Sequence, residues 1–300
     1  MIDRTVVAWD GTQQAQTALD WAVAREGSRR GPVVIVRVVD DARLEAFSAD
    51  ETDDAIAGAL SGLATQVERL RSEAPGQPVV TEIVRGDPRS RLERLSNPET
   101  VLVLGTHDRS IKEPRFAWSL SARLVAEARG PLVVVPAGGH RNGTGVVVGV
   151  DGSPESDAAA SFAAGEAERL ATTLKVVHAW LEPAPVTAVG DVPVNYQPWL
   201  ESSHRSLLDA AVTQIRRTYP ALVVVPVLEQ STAAQALERH AESAALLVVG
   251  SRGYGPIRGL LLGSVSTSLL GTMPCPVAIT GPGYVAALAE SPSLARAARV

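Results

Sequence analysis

The chain is 300 residues long, 45% apolar and 20% charged, which describes a globular protein with room for two domains and excludes disordered and fibrous classes. Its formal net charge of −5 offers no clustered basic surface for nucleic acid, and no apolar run approaches the roughly 18 to 20 residues that cross a bilayer. The single cysteine, Cys275, excludes an intrachain disulfide and fits a reducing compartment, so we expect a cytoplasmic protein with neither nucleic acid nor membrane as partner.

From the N-terminus, MIDRTVVAWDG has no basic stretch leading into an apolar one, so no leader is expected. Val6 to Trp9 reads as a short strand. Ala15, Ala18, Leu19, Ala22 and Val23 then follow at helical spacing before Gly27 and Gly31. Next come the continuous apolar strand PVVIVRVV, a helical segment near ALSGLATQVERL, the strand PVVTEIV and a short helix around RSRLERL. The copy closes with VLVLG, a further helix and PLVVVP.

The order then begins again. VVAWDGT (6–12) matches VVVGVDGS (146–153), which places Asp10-Gly11 on Asp151-Gly152, and VVIVRVV falls on LKVVHAW at the same offset. VLVLG (101–105) matches LLVVG (246–250), and GPLVVVP matches CPVAIT. A repeat this long is a duplicated domain and not a solenoid unit. The copies span 1–137 and 145–281, joined by the Gly-rich AGGHRNGTG (137–145) and followed by a tail, 282–300, readable as a packed helix or a loose end. A Pro-rich insertion, LEPAPVTAVGDVPVNYQP, follows the second strand of the second copy.

Strands that are apolar throughout and alternate with helices imply parallel sheets covered on both faces. Right-handed crossovers then give two doubly wound five-stranded α/β domains of strand order 3-2-1-4-5. Each copy ends in an apolar strand that would otherwise be an exposed edge, so the two are expected to pair there about a pseudo-two-fold axis.

Ligands of such sheets sit beyond the carboxyl ends of the strands, where the order reverses. In the second copy that point brings Asp151-Gly152 to face Gly250, Arg252 and Gly253, with Gly263, Ser264, Val265 and Ser266 opening the next helix. Bare glycines let backbone N–H groups approach a phosphate. A helix N-terminus favours an anion by about 0.3 to 1 kcal/mol at an exposed site. Ser264 and Ser266 add hydroxyls, while Arg252 or Arg258 is near enough to pair with the phosphates. The plainer alternatives are that the glycines only make a turn and that Asp10 and Asp151 only cap their strands.

The spacing Gly250, two residues, Gly253, nine residues, Gly263-Ser264 resembles the nucleotide motif of the universal stress protein family in its ATP-binding branch. VGVDGS and MPCPV resemble the same family, and the likeness covers 3–137 and 145–281. That resemblance implies an adenine nucleotide alpha hydrolase-like fold, with ATP, with or without Mg2+, bound in the second copy. It further implies that Asp151 takes the ribose or adenine side and that the backbone of Val177 to Ala179 lies along the adenine. Gly250, Arg252, Gly253, Gly263, Ser264, Val265 and Ser266 then hold the phosphates. The role implied is a nucleotide-responsive regulator of bacterial stress adaptation with an unknown protein partner, built as an intramolecular pseudo-dimer that is able to form a homodimer. The alternatives are a slow ATPase or nucleotide-dependent transferase, and an interaction protein with vestigial sites.

The first copy departs from this pattern. Gly105 is kept, but Asp108 stands in place of Gly253 and Trp118 in place of Gly263, with Ser119 and Ser121 remaining. A carboxylate and an indole there imply loss of ATP binding, or a smaller or less charged ligand. The five histidines have no metal-ligand spacing, and His240 reads as a surface residue beside Glu238 and Glu242. Trp9, Trp21, Trp180 and Trp199 read as core or interface. No Walker loop, kinase set or GxSxG elbow is present, so little or no catalysis is expected.

Overall fold

The computed structural model describes residues 4–27, 31–106, 120–138, 143–182, 196–253 and 262–290. The first half runs β1 (Arg4–Ala8), α1 (Gln13–Glu26), β2 (Val33–Val39), α2 (Asp41–Leu44), α3 (Ala49–Glu73), β3 (Val79–Arg85), α4 (Pro88–Leu95), β4 (Thr100–Gly105), α5 (Leu120–Glu127) and β5 (Leu132–Val135). The second runs β6 (Val146–Gly149), α6 (Pro154–Arg169), β7 (Leu174–Trp180), α7 (Tyr196–Thr218), β8 (Val224–Gln230), α8 (Ala233–Ala241), β9 (Leu246–Gly250), α9 (Ser264–Thr272), β10 (Val277–Thr280) and α10 (Pro282–Glu290).

All ten strands form one sheet in the order β3-β2-β1-β4-β5-β10-β9-β6-β7-β8. Each half is parallel in the order 3-2-1-4-5, as the alternation of strand and helix implies. The halves join through β5 and β10, which pair antiparallel with Val133 opposite Ala278. The strand that would have been an exposed edge in each half is thus paired. The outer edges, β3 and β8, are half-exposed, and β8 carries Pro226, a residue with no N–H to offer a foreign strand.

Residues alternate between two apolar layers with the strand period of two. Val7, Ile35, Val103, Val133, Val148, Val176 and Val248 face α1, α3, α6 and α7. Val6, Val36, Leu102, Leu132, Val177, Leu247 and Ile279 face α4, α5, α8 and α9. Both layers run unbroken across the β5–β10 seam. The reading of 282–300 as packed helix or loose end divides: 282–290 is α10, with Tyr284 and Leu288 packed on Ala158 of α6, and the rest lies outside the described residues. Gly281 and Gly283 bring α10 so close to Val125 and Ala128 that a Cβ on either would meet their carbonyls.

A further contact between the halves is ionic and buried. Arg25 of α1 donates from Nε and Nη2 to the two carboxylate oxygens of Glu166 on α6, at 2.8 and 2.5 Å. Its Nη1 reaches Glu26 Oε1 at 2.5 Å and Thr5 Oγ1 at 2.7 Å. Arg169 Nη1 completes the group by donating to Glu26 Oε2 at 3.0 Å. Burial pulls the Arg25 pKa down, but the Glu166 and Glu26 carboxylates outweigh it and the net shift is upward. The offset of 141 residues that places Asp10 on Asp151 also separates Arg25 from Glu166, so the pair occupies equivalent positions of the two copies. Pairing either half with its own copy through the same surfaces would set Arg25 against Arg25, or Glu166 against Glu166. The network therefore favours one half against the other over self-association.

Of the expected core tryptophans, Trp9, Trp21 and Trp180 are buried. Trp199, on the first turn of α7, is 62% exposed. Cys275 is buried in the layer under α9 just before β10.

Candidate functional site

The crevice expected at the switch point exists in the second half, between the carboxyl ends of β6, β7 and β9. It is a cavity of about 260 Å³ walled by Asp151, Val177, Ala179, Gly250, Arg252, Gly253, Gly263, Ser264, Val265 and Ser266. Of the expected cofactor-binding residues that are described, Gly152 is the one not in its wall. Gly152 supplies the positive φ, +83°, of the turn that follows Asp151. The structure adds Gly149, Val150, Ser156, Ala233, Leu237, Val249, Ser251 and Leu262 to the wall. Ala233 and Leu237 lie one turn apart on α8 and make the apolar side with Val177 and Val249. Their i, i+4 spacing was the available signal.

Asp151 is held in place by its own turn. Its Oδ1 accepts from Ser153 N at 3.0 Å and from Ser153 Oγ at 2.6 Å, and the Ser153 hydroxyl in turn caps α6 by accepting from Ser156 N. A Cβ at Gly253 would run into Asp151 Oδ2, so the second carboxylate oxygen lies against bare backbone at the mouth of the crevice. The capping role of Asp151 and its place in the site are therefore compatible, one oxygen serving each. The first half repeats the turn: Asp10 Oδ1 accepts from Thr12 N at 3.0 Å and Thr12 Oγ1 at 2.6 Å.

The glycines and serines divide in ways their spacing does not reveal. A Cβ at Gly250 would crowd Glu155 of α6 at 2.9 Å, so this glycine lets α6 pack close to the strand end. Gly105 does the same against Gln14 and Ala15 of α1. Gly263 is the N-cap of α9, and its N–H donates to Ser251 O at 2.7 Å. A Cβ there would stand 3.3 Å from Ser251 O and close to Arg252 Cα, so Gly263 lines the crevice with the 251–252 backbone packed close behind it. Ser266 is buried, and its hydroxyl donates to Ser251 O at 3.0 Å and Gly263 O at 3.1 Å, so it ties the loop to the helix. Ser264 is exposed at the rim.

The start of α9 is unlike the other capped helices. Thr12, Ser48, Asp87, Ser153 and Thr232 each offer a side-chain acceptor to the first turn of α1, α3, α4, α6 and α8. Gly263 offers none to α9, and no acidic residue stands in its first turn. The amides at the start of α9 thus face the crevice without a side-chain acceptor, as an anion would require. Ser251 Oγ is buried in the same wall and has no hydrogen-bond partner among the described residues. Among the described residues, the charged side chains of the wall are Asp151 and Arg252.

The expectations that rest on Asp108, Trp118, Ser119 and Arg258 lie outside the described residues. No group of three or more His, Cys, Asp or Glu side chains that could hold a metal ion occurs among the described residues. No helix among them is long and apolar enough to cross a membrane. Two histidines that are remote in sequence nevertheless meet. His178 on β7 has Nδ1 2.7 Å from Val150 O and Nε2 2.9 Å from His204 Nδ1 of α7, and Trp180 stacks on His204. His240 is half-buried, and its partners are Glu229 on β8 at 2.9 Å and Lys175 on β7 at 3.4 Å, not Glu238 or Glu242.

Comparison with known proteins fits this geometry. The sequence model of the universal stress protein family matches residues 1–136 and again 144–281. A universal stress protein of Mycolicibacterium smegmatis is 28% identical over 289 residues, covering 92% of this chain and 96% of its own. One of Mycobacterium tuberculosis is 29% identical over 300 residues, covering 91% of this chain and 93% of its own. The crystal structure of a universal stress protein from Archaeoglobus fulgidus superposes with a TM-score of 0.67 at 19% identity over 93% of this chain and 96% of that one, which shows the shared fold.

Proposed function

The chain belongs to the universal stress protein family as two tandem copies of its domain, and from that premise we propose that its second half binds ATP and that occupancy of this site regulates a partner protein during bacterial stress adaptation. The observation that carries the reading is the meeting of Asp151, Gly253 and the uncapped start of α9 around one crevice. The apolar side made by Val177, Ala179, Leu237 and Val249 suits a purine base. Asp151, beside the mouth, suits ribose hydroxyls. The amides of α9, Ser264 and Arg252 suit phosphates, and Ser251 Oγ is a buried hydroxyl still lacking a partner. These residues fit ATP, with or without Mg2+, as ligand.

Turnover is expected to be slow. Asp151 is the wall's carboxylate, and one of its oxygens is engaged by Ser153. No imidazole lines the crevice among the described residues. A general base must lie within hydrogen-bond reach of the water it activates, and the phosphate end offers none among the described residues. The test is the nucleotide content of the freshly purified protein, followed by phosphate release over hours. Bound ATP with release far below the roughly 1 to 1000 per second of ordinary enzymes supports a binding module. Release within that range, lost in Ser264→Ala, would make it an ATPase. Absence of nucleotide together with no ATP binding would leave an interaction protein with a vestigial site.

A further inference from the structure

The cavity at the first half's strand ends is larger than the crevice described in the second, and its chemistry is different. It measures about 760 Å³ and runs from the carboxyl ends of β1, β2 and β4 across to α3. We propose that this cavity is a separate binding site for a monoanionic organic carboxylate with an apolar body. The inference does not depend on ATP binding in the second half.

Trp9 and Arg37 of the wall carry three unpaired donors, which lie covered behind the polar end. Nε and Nη1 of Arg37, and Nε1 of Trp9, are shut off from solvent and have no hydrogen-bond partner among the described residues. Both side chains lie in the cavity wall beside the Asp10-Gly11 turn, where a Cβ on Gly11 would stand 3.9 Å from Arg37 Nη1 and 3.9 Å from the Trp9 ring. Buried polar groups in native proteins are nearly always satisfied, so a cluster of unpaired donors in one cavity marks a missing acceptor. A cation beside an indole N–H calls for an anion.

The corresponding place in the second half shows what closure looks like. The repeat puts His178 at the position of Arg37 and Trp180 at that of Val39. The offset that places Val79 on Val224 also places Ala59 on His204. In the second half His178, His204 and Trp180 stack together, and both nitrogens of His178 find partners. In the first half Ala59 and Gly62 of α3 leave that space open, and Gly62 brings the helix onto the edge of the Trp9 ring.

The rest of the wall sets the ligand class. Val36, Val38, Leu44, Phe47 and Leu92 are apolar, and a cavity mostly apolar with a few convergent polar groups is the usual form of a small-molecule site. Arg37 is the cation among the described lining residues, against the carboxylates of Asp10 and Asp40. The net lining charge is therefore negative, so an anion is held only by pairing directly with Arg37, which one carboxylate can do and a polyphosphate, repelled by Asp10 and Asp40, cannot.

Calorimetry and tryptophan fluorescence on the full chain test the proposal, with decanoate as the alkyl probe, 3-phenylpropionate as the aromatic one and decan-1-ol as the neutral control. One carboxylate per chain should bind, with or without saturating ATP, and the better of the two acids tells an alkyl from an aromatic ligand. Decan-1-ol should bind at least about tenfold more weakly, the scale of one charge-assisted hydrogen bond. Arg37→Met should lose the same factor for the acid while leaving ATP binding unchanged, and Trp9→Phe should remove most of the fluorescence response. Absence of saturable binding by either acid would overturn the proposal. So would equal affinity for acid and alcohol in the wild type, a comparison that holds even if Arg37→Met fails to fold.

Discussion

At the end of their first strands the two halves are chemically alike. Asp10 and Asp151 each accept from the backbone and hydroxyl two residues on, and the intervening Gly11 and Gly152 take φ of +88° and +83°. One residue to the side, the likeness ends. Where the second half fills the α7 side with His178, His204 and Trp180, the first leaves Arg37 and Trp9 facing a cavity toward α3. The lesson is that a duplicated fold keeps its turn and sheet, which hold the backbone, while the side chains around them remain free to define two different sites.

The largest expected effect breaks the contact between the halves. Arg25→Glu would leave the buried Glu26 and Glu166 facing a third carboxylate, and breaking a buried pair in this way costs about 3 to 5 kcal/mol. Denaturant unfolding should show that loss. The exchanged double variant Arg25→Glu, Glu166→Arg should recover a substantial part of it, since the two positions are equivalent. A single variant within about 1 kcal/mol of wild type would show that the network does not hold the halves together.

A smaller effect separates the two serines at the start of α9. Ser266→Ala removes a buried hydroxyl bonded to Ser251 O and Gly263 O and should cost about 1 kcal/mol of stability. Ser264→Ala should leave stability unchanged and weaken ATP binding by several-fold, because Ser264 is exposed at the rim. Melting and calorimetry on both variants distinguish the roles, and equal behaviour of the two would merge them.

Acid should act on the second half through its histidine pair. Burial, and then the charge of His178, lower the pKa of His204. The folded state therefore binds this proton less readily than the unfolded chain, whose value is about 6.5. The contribution of the pair is fully present above that pH and is lost as pH falls below it. The melting temperature should fall between pH 7 and 5, and His204→Phe should reduce the slope. An unchanged slope would assign the acid sensitivity elsewhere.

The smallest effect is a control. Gly130 stands in the first half where Cys275 stands in the second, and burial pushes the Cys275 thiol up to about 12. Native protein should resist thiol reagents at pH 8, with labelling appearing only on unfolding. Rapid native labelling would mean that the layer beneath α9 opens.

The fold was legible because both copies write it with apolar strands alternating with helices, and because the last strand of each had no other partner. The site was legible as a spacing. The reason for each residue was not, since a spacing does not say which atoms a Cβ would meet. Gly250 serves the packing of α6, and Ser266 faces inward. Arg25 and Glu166 look like solvated charges until α1 and α6 are known to meet across the seam. His178 and His204 are separated by an insertion and a helix start, so no ligand spacing could reveal them. Trp199 has a residue type shared by core and interface positions, and only its exposure separates it from Trp9, Trp21 and Trp180.

The central claim is that one nucleotide site is present per chain and that it lies in the second half. Gly253→Asp tests it most directly, because it writes the first half's Asp108 into the second. The new side chain would run into Asp151 Oδ2 and add a second carboxylate at the mouth of the crevice, yet Gly253 is exposed and outside both apolar layers. Calorimetry with ATP should give one site on the wild type and none on Gly253→Asp, with unfolding unchanged. Two equivalent ATP sites on the wild type, or undiminished binding by Gly253→Asp, would contradict the account.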